Sequence, residues 1–527
     1  MTDSRGAAAR SGANRRTLDP STAYQVHDQP GVRATVFIAD ALLVRGRHQE
    51  TYDALTVVAG EAGFELVRDQ AGELGRALLT DAGLTDEQRA DLEAVWVERV
   101  RLAPLRDRPE SVFRPIDTWR LLQSYRAYVG RGSARHCDVG LEHPATSSDV
   151  QPTPYTNPHP YTNPHPYTNP HEAGPQSFGV QQYGRAGSGG RQPVNWLGPA
   201  PHRRIAEGDT SARRPVVAVF DSSVGEHPWL GEEHVDRDPE VLGALIGLPP
   251  DPAEVEASGT TEGLVGELGQ DAGHGTFIAG LIRQGCPDAL VLAVRLFQSD
   301  GVVDESELLR SLQLLALRHL LGVNGVPGYA PVDVLSLSLG YYHEQPEDSA
   351  FDALLHGPLA LLGRYGVCVV VSAGNDATKR PAYPAAFAPY VGGSVVDDEA
   401  CVPVVAVGAL NPDRSIAMFS NDGPWVRYLR PGAALVSTFP VTYDASQGAS
   451  NQVATAGGEF RRSLDPDNYA AGFAVWSGTS FSAPVLAAEV AEHLQRAFEA
   501  GDASAEPGAA VVRARRVLAG LPGREPT

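Results

Sequence analysis

The sequence predicts an α/β chain: a parallel sheet with helices on both faces, preceded by a small α+β domain. Three observations carry this prediction. From residue 216 onward, short and continuously apolar runs recur: VVAVF (216–220), LVLAVRLF (290–297), VDVLSLS (332–338), VCVVVS (367–372) and VPVVAVGA (402–409). Runs of this kind are strands buried on both faces. Helical patterns separate them, such as ESELLRSLQLLALRHLL (305–321) and 351–365, and strand–helix alternation builds a parallel sheet. Ahead of them the composition changes sharply over 144–204, which divides the chain.

Taken in order, residues 1–31 are polar and rich in Gly, Ala and Arg, and are expected to be a disordered tail. Residues 32–143 are expected to form the small domain. VRATVFIADALLV reads as a strand or strand pair, 49–62 as a helix, FELV (64–67) as a strand and VWVERVRL (95–102) as another. IDTWRLLQSYRAYV (116–129) suits a helix with Asp117 as N-cap, and CDVGLEH closes a last strand. The resulting order, βαββαβ, suits a ferredoxin-like fold. Residues 144–204 contain PYTNPH three times in tandem (154–171) and then a Gly-, Gln- and Ser-rich stretch. Two prolines per unit and no charge favour an extended linker. His159, His165 and His171 recur every six residues, a spacing that extended chain carries beyond the reach of one metal ion. Residues 205–520 hold the parallel-sheet domain, and 521–527 a tail.

Charge and composition exclude several classes. The net charge is −21 over 527 residues, and such a polyanion repels phosphate backbones, so nucleic acid is not an expected partner. No run of 18 apolar residues occurs, so no membrane span is expected. MTDSRGAAARSGANRR is followed by no apolar core of the signal-peptide kind; a cytoplasmic protein is expected, with export by an unconventional route left open. Cys137, Cys286, Cys368 and Cys401 form no CxxC pair, hence no zinc-ligand spacing. Cys368, inside VCVVV, reads as a buried thiol.

In parallel α/β sheets, chemistry sits at the carboxyl ends of strands. VVAVF ends in Asp221, and VCVVVSA ends in Gly374-Asn375. His274 opens an apolar helix in GHGTFIAGLI, and Ser480 precedes another in SGTSFSAPVLAAEVAEHL. Each residue alone has a plain structural reading as a turn, loop or cap. Together they match what acyl transfer needs. A serine hydroxyl requires a base, histidine suits that task near neutral pH, a carboxylate fixes the imidazole tautomer, and an asparagine amide can hold an oxyanion.

These motifs resemble the subtilisin-like serine peptidases, whose chain order is also Asp, His, Ser. VVAVFDSSVGEHPWL is similar to the family's aspartate motif, GHGTFIAG to its histidine motif and SGTSFSAP to its serine motif. VLSLSLG is similar to the substrate-pairing strand and SAGN to the oxyanion segment; AYPAAF (382–387) and FSNDGPWVRYLRPG (419–432) also fit. Ser223, Val485 and Ala488 depart from residues usual in the family, and none of the three removes a catalytic group. The resemblance covers roughly 205–520. It implies a subtilisin-like catalytic domain that hydrolyses peptide bonds, with Asp221, His274 and Ser480 as the triad and Asn375 at the oxyanion. Ser338, Leu339, Gly340, Ala373 and Gly374 would bind substrate, which would add as an extended strand beside 338–340. No cofactor is expected to be required, with calcium left open. Calcium loops occur in the family, but DPDN (465–468) has no recognisable ligand spacing, and no metal site is assigned.

The 32–143 domain stands where family propeptides stand, and either that role or docking of a partner fits its position. Two other readings remain open: a maturase dedicated to one peptide, and a peptide-binding scaffold without catalysis. An α/β-hydrolase is disfavoured, since no GxSxG elbow occurs and the order would be Ser, Asp, His.

Overall fold

The structure is a computed structural model. It describes residues 14–24, 31–46, 49–69, 78–79, 83–105, 115–130, 133–147, 180, 182–206, 209, 212–249, 266, 268–297, 301–344 and 353–524. The tandem PYTNPH units lie outside the described residues.

A seven-stranded sheet forms the centre. Its spatial order is Val235–Asp236, Leu290–Arg295, Val216–Asp221, Val334–Leu337, Cys368–Ser372, Val405–Leu410 and Val426–Pro431, and every neighbouring pair is parallel. The continuous apolar runs follow from burial on both faces. Along the Val216–Asp221 strand, Val216, Ala218 and Phe220 enter one core, and Val217 and Val219 enter the other. The first core is covered by the helices Glu305–Val323 and Ala353–Arg364, the second by His274–Gly285 and Thr479–Glu499. Since strand side chains alternate between faces, both faces of such a strand are buried and most of its residues are apolar.

The N-terminal part has its own four-stranded sheet, in the order Phe64–Arg68, Val97–Pro104, Ala41–Arg45 and Val139–Leu141, with every pair antiparallel. The helices Gln49–Ala62 and Thr118–Val129 pack with it around Leu42, Val44, Leu55, Leu122 and Tyr125. Asp117 caps the second helix, accepting from Arg120 N at 3.2 Å. One element departs from the expected order. A helix at Asp86–Ala94 stands between the second and third strands, with a capping box formed by Thr85 and Gln88. The T-x-x-Q pattern that announces it is present in the sequence.

Three boundaries are corrected. Residues 1–31 are not a tail throughout: Arg15–Leu18 pairs antiparallel with Thr35–Ile38, and Leu18 is buried. Arg15 also pairs with Asp304, and Asn14 O accepts from Ala39 N at 2.8 Å. Residues 144–204 are not a linker throughout: Pro144–Ser147 and Gln192–Pro193 are strands in sheets of the C-terminal part, and Trp196 packs on Trp229 and Phe473. Residues 521–524 are docked: Leu521 is buried, and Arg524 N donates to Arg427 O at 2.7 Å.

Candidate active site

Asp221 ends its strand at the sheet's carboxyl edge, His274 opens its helix, and Ser480 is the second residue of the Thr479–Glu499 helix. Two glycines hold the histidine in place. Gly273 has φ +81°, and a Cβ there would overlap the Phe439 ring; a Cβ at Gly275 would overlap Ser222 O. Both positions therefore require glycine.

The three side chains converge. His274 Nδ1–H donates to Asp221 Oδ1 at 2.7 Å, and His274 Nε2 lies 3.0 Å from Ser480 Oγ, in position to accept its hydroxyl proton. All three residues are fully buried. Asp221 Oδ1 also accepts from Ser222 N at 2.7 Å. Trp476 and Phe481 pack against the imidazole, at 5.4 and 5.0 Å between centroids. The neighbouring serines have other work. Ser477 Oγ donates to Gly189 O at 2.7 Å, and Ser482 Oγ donates to Arg430 O at 3.3 Å.

Asn375 stands beside Thr479, the residue before Ser480. Its Oδ1 accepts from Thr479 N at 2.9 Å and from Thr479 Oγ1 at 2.8 Å, which leaves Nδ2 as the amide's donor. Gly374 turns the chain at φ +100°, and its N–H donates to Thr479 Oγ1 at 3.1 Å. Ala373 is buried at the end of the Cys368–Ser372 strand and donates to Val407 O at 2.9 Å. Behind this loop lies Asn421, whose Oδ1 accepts from Asp376 N and Thr378 N and whose Nδ2 donates to Ala373 O. Neither Thr479 nor Asn421 carries a sequence signal of such a role; only the contacts reveal it.

Ser338 differs from Leu339 and Gly340. Ser338 acts through its side chain, donating to Ser480 O at 2.8 Å. Leu339 and Gly340 pair antiparallel with Ser147 and Thr146. On its other side the same segment pairs antiparallel with Val302–Asp304, so Pro144–Ser147 is the middle strand of three. Ser147 Oγ donates to Asp271 Oδ1 at 2.6 Å, and Ala145 is fully buried. This seated strand was not foreseen, because PATS carries no apolar alternation.

A match to the model of the subtilase family covers residues 212–515. The chain belongs to the subtilase family. It is a subtilisin-like serine endopeptidase, and its substrate is polypeptide. It is 26% identical to subtilisin BL of Lederbergia lenta over 262 residues, which are 48% of this chain and 75% of that protein. It is 26% identical over the same length to an alkaline protease of Alkalihalobacillus alcalophilus, of which the match spans 53%. Fervidolysin from Fervidobacterium pennivorans, described as a keratinolytic enzyme related to subtilisin, matches with 17% identity and a TM-score of 0.43, over 91% of this chain and 57% of that one.

Asp444, Asp465 and Asp467 bring carboxylate oxygens within 4.8 Å of one another. Burial and the neighbouring Asp467 carboxylate push the Asp465 carboxyl above its usual range. Oxygen donors of this kind suit a hard cation. Among the described residues, no helix is long and apolar enough to cross a membrane.

Proposed function

We propose that this subtilase hydrolyses peptide bonds through an acyl-enzyme formed on Ser480. Ser480 Oγ attacks the scissile carbonyl while His274 Nε2 takes its proton. Asp221 fixes the Nδ1–H tautomer and stabilises the imidazolium. Asn375 Nδ2 and the Ser480 N–H, the latter at a helix N-terminus, take the oxyanion. His274 then returns its proton to the leaving amine, and water releases the acyl group. No step passes through a metal ion. The observation that carries this reading is the continuous relay of 2.7 and 3.0 Å from Asp221 through His274 to Ser480.

Substrate adds as an extended strand between Val302–Asp304 and Leu339–Gly340, where main-chain hydrogen bonds supply affinity. Pro144–Ser147 occupies that place in cis. On this reading residues 32–143 are a propeptide-like domain of ferredoxin-like type, followed directly by the strand Pro144–Ser147 that enters the groove, and 205–520 is the peptidase domain. The strand order and the antiparallel pairing of the N-terminal sheet support the fold assignment; the seated strand supports the role.

Fluorophosphonate labelling decides the chemistry. Wild type is expected to label at Ser480 and to cleave casein, and Ser480→Ala to do neither. Equal turnover by the two proteins would reject the mechanism.

A further inference from the structure

Just before the seated strand, His143 points both ring nitrogens at carboxylates of the peptidase part. Nδ1 lies 3.1 Å from Glu305 Oε2, and Nε2 lies 3.0 Å from Glu344 Oε2. A neutral imidazole has one N–H and one lone pair. In this geometry that lone pair would face a carboxylate oxygen, so with both carboxylates ionised only the doubly protonated ring satisfies both contacts. His143 and Glu305 are 2% exposed and Glu344 is 1% exposed. Buried carboxylates are costly without a cation.

The surroundings form a socket. Tyr341 stacks on the imidazole at 4.8 Å, with 10° between the planes, and its hydroxyl donates to Glu305 Oε1 at 3.0 Å. The His143 backbone continues the strand: its N–H donates to Glu305 Oε2 at 3.1 Å, and its carbonyl accepts from Glu305 N at 2.9 Å. Two more basic residues face Glu344, the His343 ring at 3.6 Å and the Arg126 guanidinium through space. Burial alone would lower the His143 pKa, but the bonds to Glu305 and Glu344 outweigh it and raise the group to about 10.

We propose that Glu305 and Glu344 form a subsite of the groove that selects a cationic side chain, an imidazolium by preference, four residues before the one opposite Leu339. The proposal rests on the reading that Pro144–Ser147 sits where substrate sits. It also gives meaning to the tandem repeats. The order His-Pro-x-Thr of residues 143–146 recurs at 159–162 and at 165–168, with Tyr161 and Tyr167 in place of Ala145. The chain therefore carries two further peptides of the class the socket would take.

The test uses full-length Ser480→Ala protein, which cannot cut itself, and follows amide hydrogen exchange. The Ser147 amide donates to Gly301 O at 3.0 Å and reports on the seated strand. Adding His143→Ala, or Glu305→Gln with Glu344→Gln, is expected to raise its exchange about tenfold or more. The strand Val216–Asp221 serves as the fold control and should not change. His143→Lys, which keeps a cation, is expected to retain most of the protection. A synthetic peptide of residues 159–169, HPYTNPHPYTN, added to the His143→Ala form is expected to slow exchange at Gly340; its His→Ala version is not. Unchanged exchange at Ser147 in both sets of variants would overturn the proposal. Equal effects of the two peptides would overturn its extension to the repeats. Failure of wild type to label at Ser480, with these exchange results as expected, would instead retire the catalytic reading and leave the socket standing.

Discussion

Thr479 holds Asn375 from two sides: its backbone N–H and its hydroxyl both donate to Asn375 Oδ1, at 2.9 and 2.8 Å. Thr479 thus fixes the direction of the Asn375 amide, the group proposed to hold the oxyanion. Asn375→Ala is expected to lower kcat by about 10²–10³, a magnitude taken from subtilisin itself. Thr479→Val keeps the backbone bond and removes the hydroxyl, so it should lower kcat by less and leave KM in place. Steady-state kinetics on one peptide substrate check both; a Thr479→Val loss that fell wholly on KM would contradict the aiming role.

Gly374 tests the same loop through the backbone. Its φ of +100° disfavours any side chain, and a Cβ there would overlap Asn421 Nδ2. Gly374→Ala is expected to displace Asn375 and cut kcat at least tenfold, with a thermal midpoint lowered by several degrees, since roughly 1–3 kcal/mol is typical for such strain. Kinetics and a melting curve on one preparation measure both quantities.

The seated strand predicts where the chain is cut. Wild type is expected to be cleaved within the few residues after Ser147, and Ser480→Ala to stay intact. Intact mass spectrometry of both proteins reads this directly; a wild-type chain that stays whole through prolonged incubation would argue against self-processing.

The pH dependence of strand docking has a definite sign. His143 titrates near 6.5 when unfolded and near 10 when folded, so its contribution is complete below 6.5, falls as pH rises, and is gone above about 10. Glu344 is held far below its ordinary 4.5; burial opposes this, and His343, His143 and Arg126 outweigh it. Its contribution is present above 4.5 and is lost only in strong acid. Exchange at Ser147 in Ser480→Ala, corrected for the intrinsic rate, should therefore accelerate toward alkaline pH and not between pH 6 and 5. Release on mild acidification would reverse this assignment.

The positions of Asp221, His274 and Ser480 at a strand end and at two helix starts were legible from their motifs, and around His274 the flanking Gly273 and Gly275 stand where a Cβ would overlap neighbours. The central strands were legible because burial on both faces leaves an unbroken apolar run. What escaped the sequence is held by partners, not by its own pattern. Pro144–Ser147 is ordered by two foreign strand edges. Arg15–Leu18 is ordered by Thr35–Ile38. Arg191 is anchored by the carbonyls of Gly269, Gln270 and Ala272. Composition reports solubility and stiffness, and these segments owe their order to neither.

The stretch between Ser147 and the docked residues around Arg191 is fastened at both ends to the same body. Severing it would divide the polymer without dividing the particle. Denaturing electrophoresis would then show two bands where gel filtration shows one peak, and removing the N-terminal fragment would take a further event: a competitor for the groove, or hydrolysis of the fragment itself.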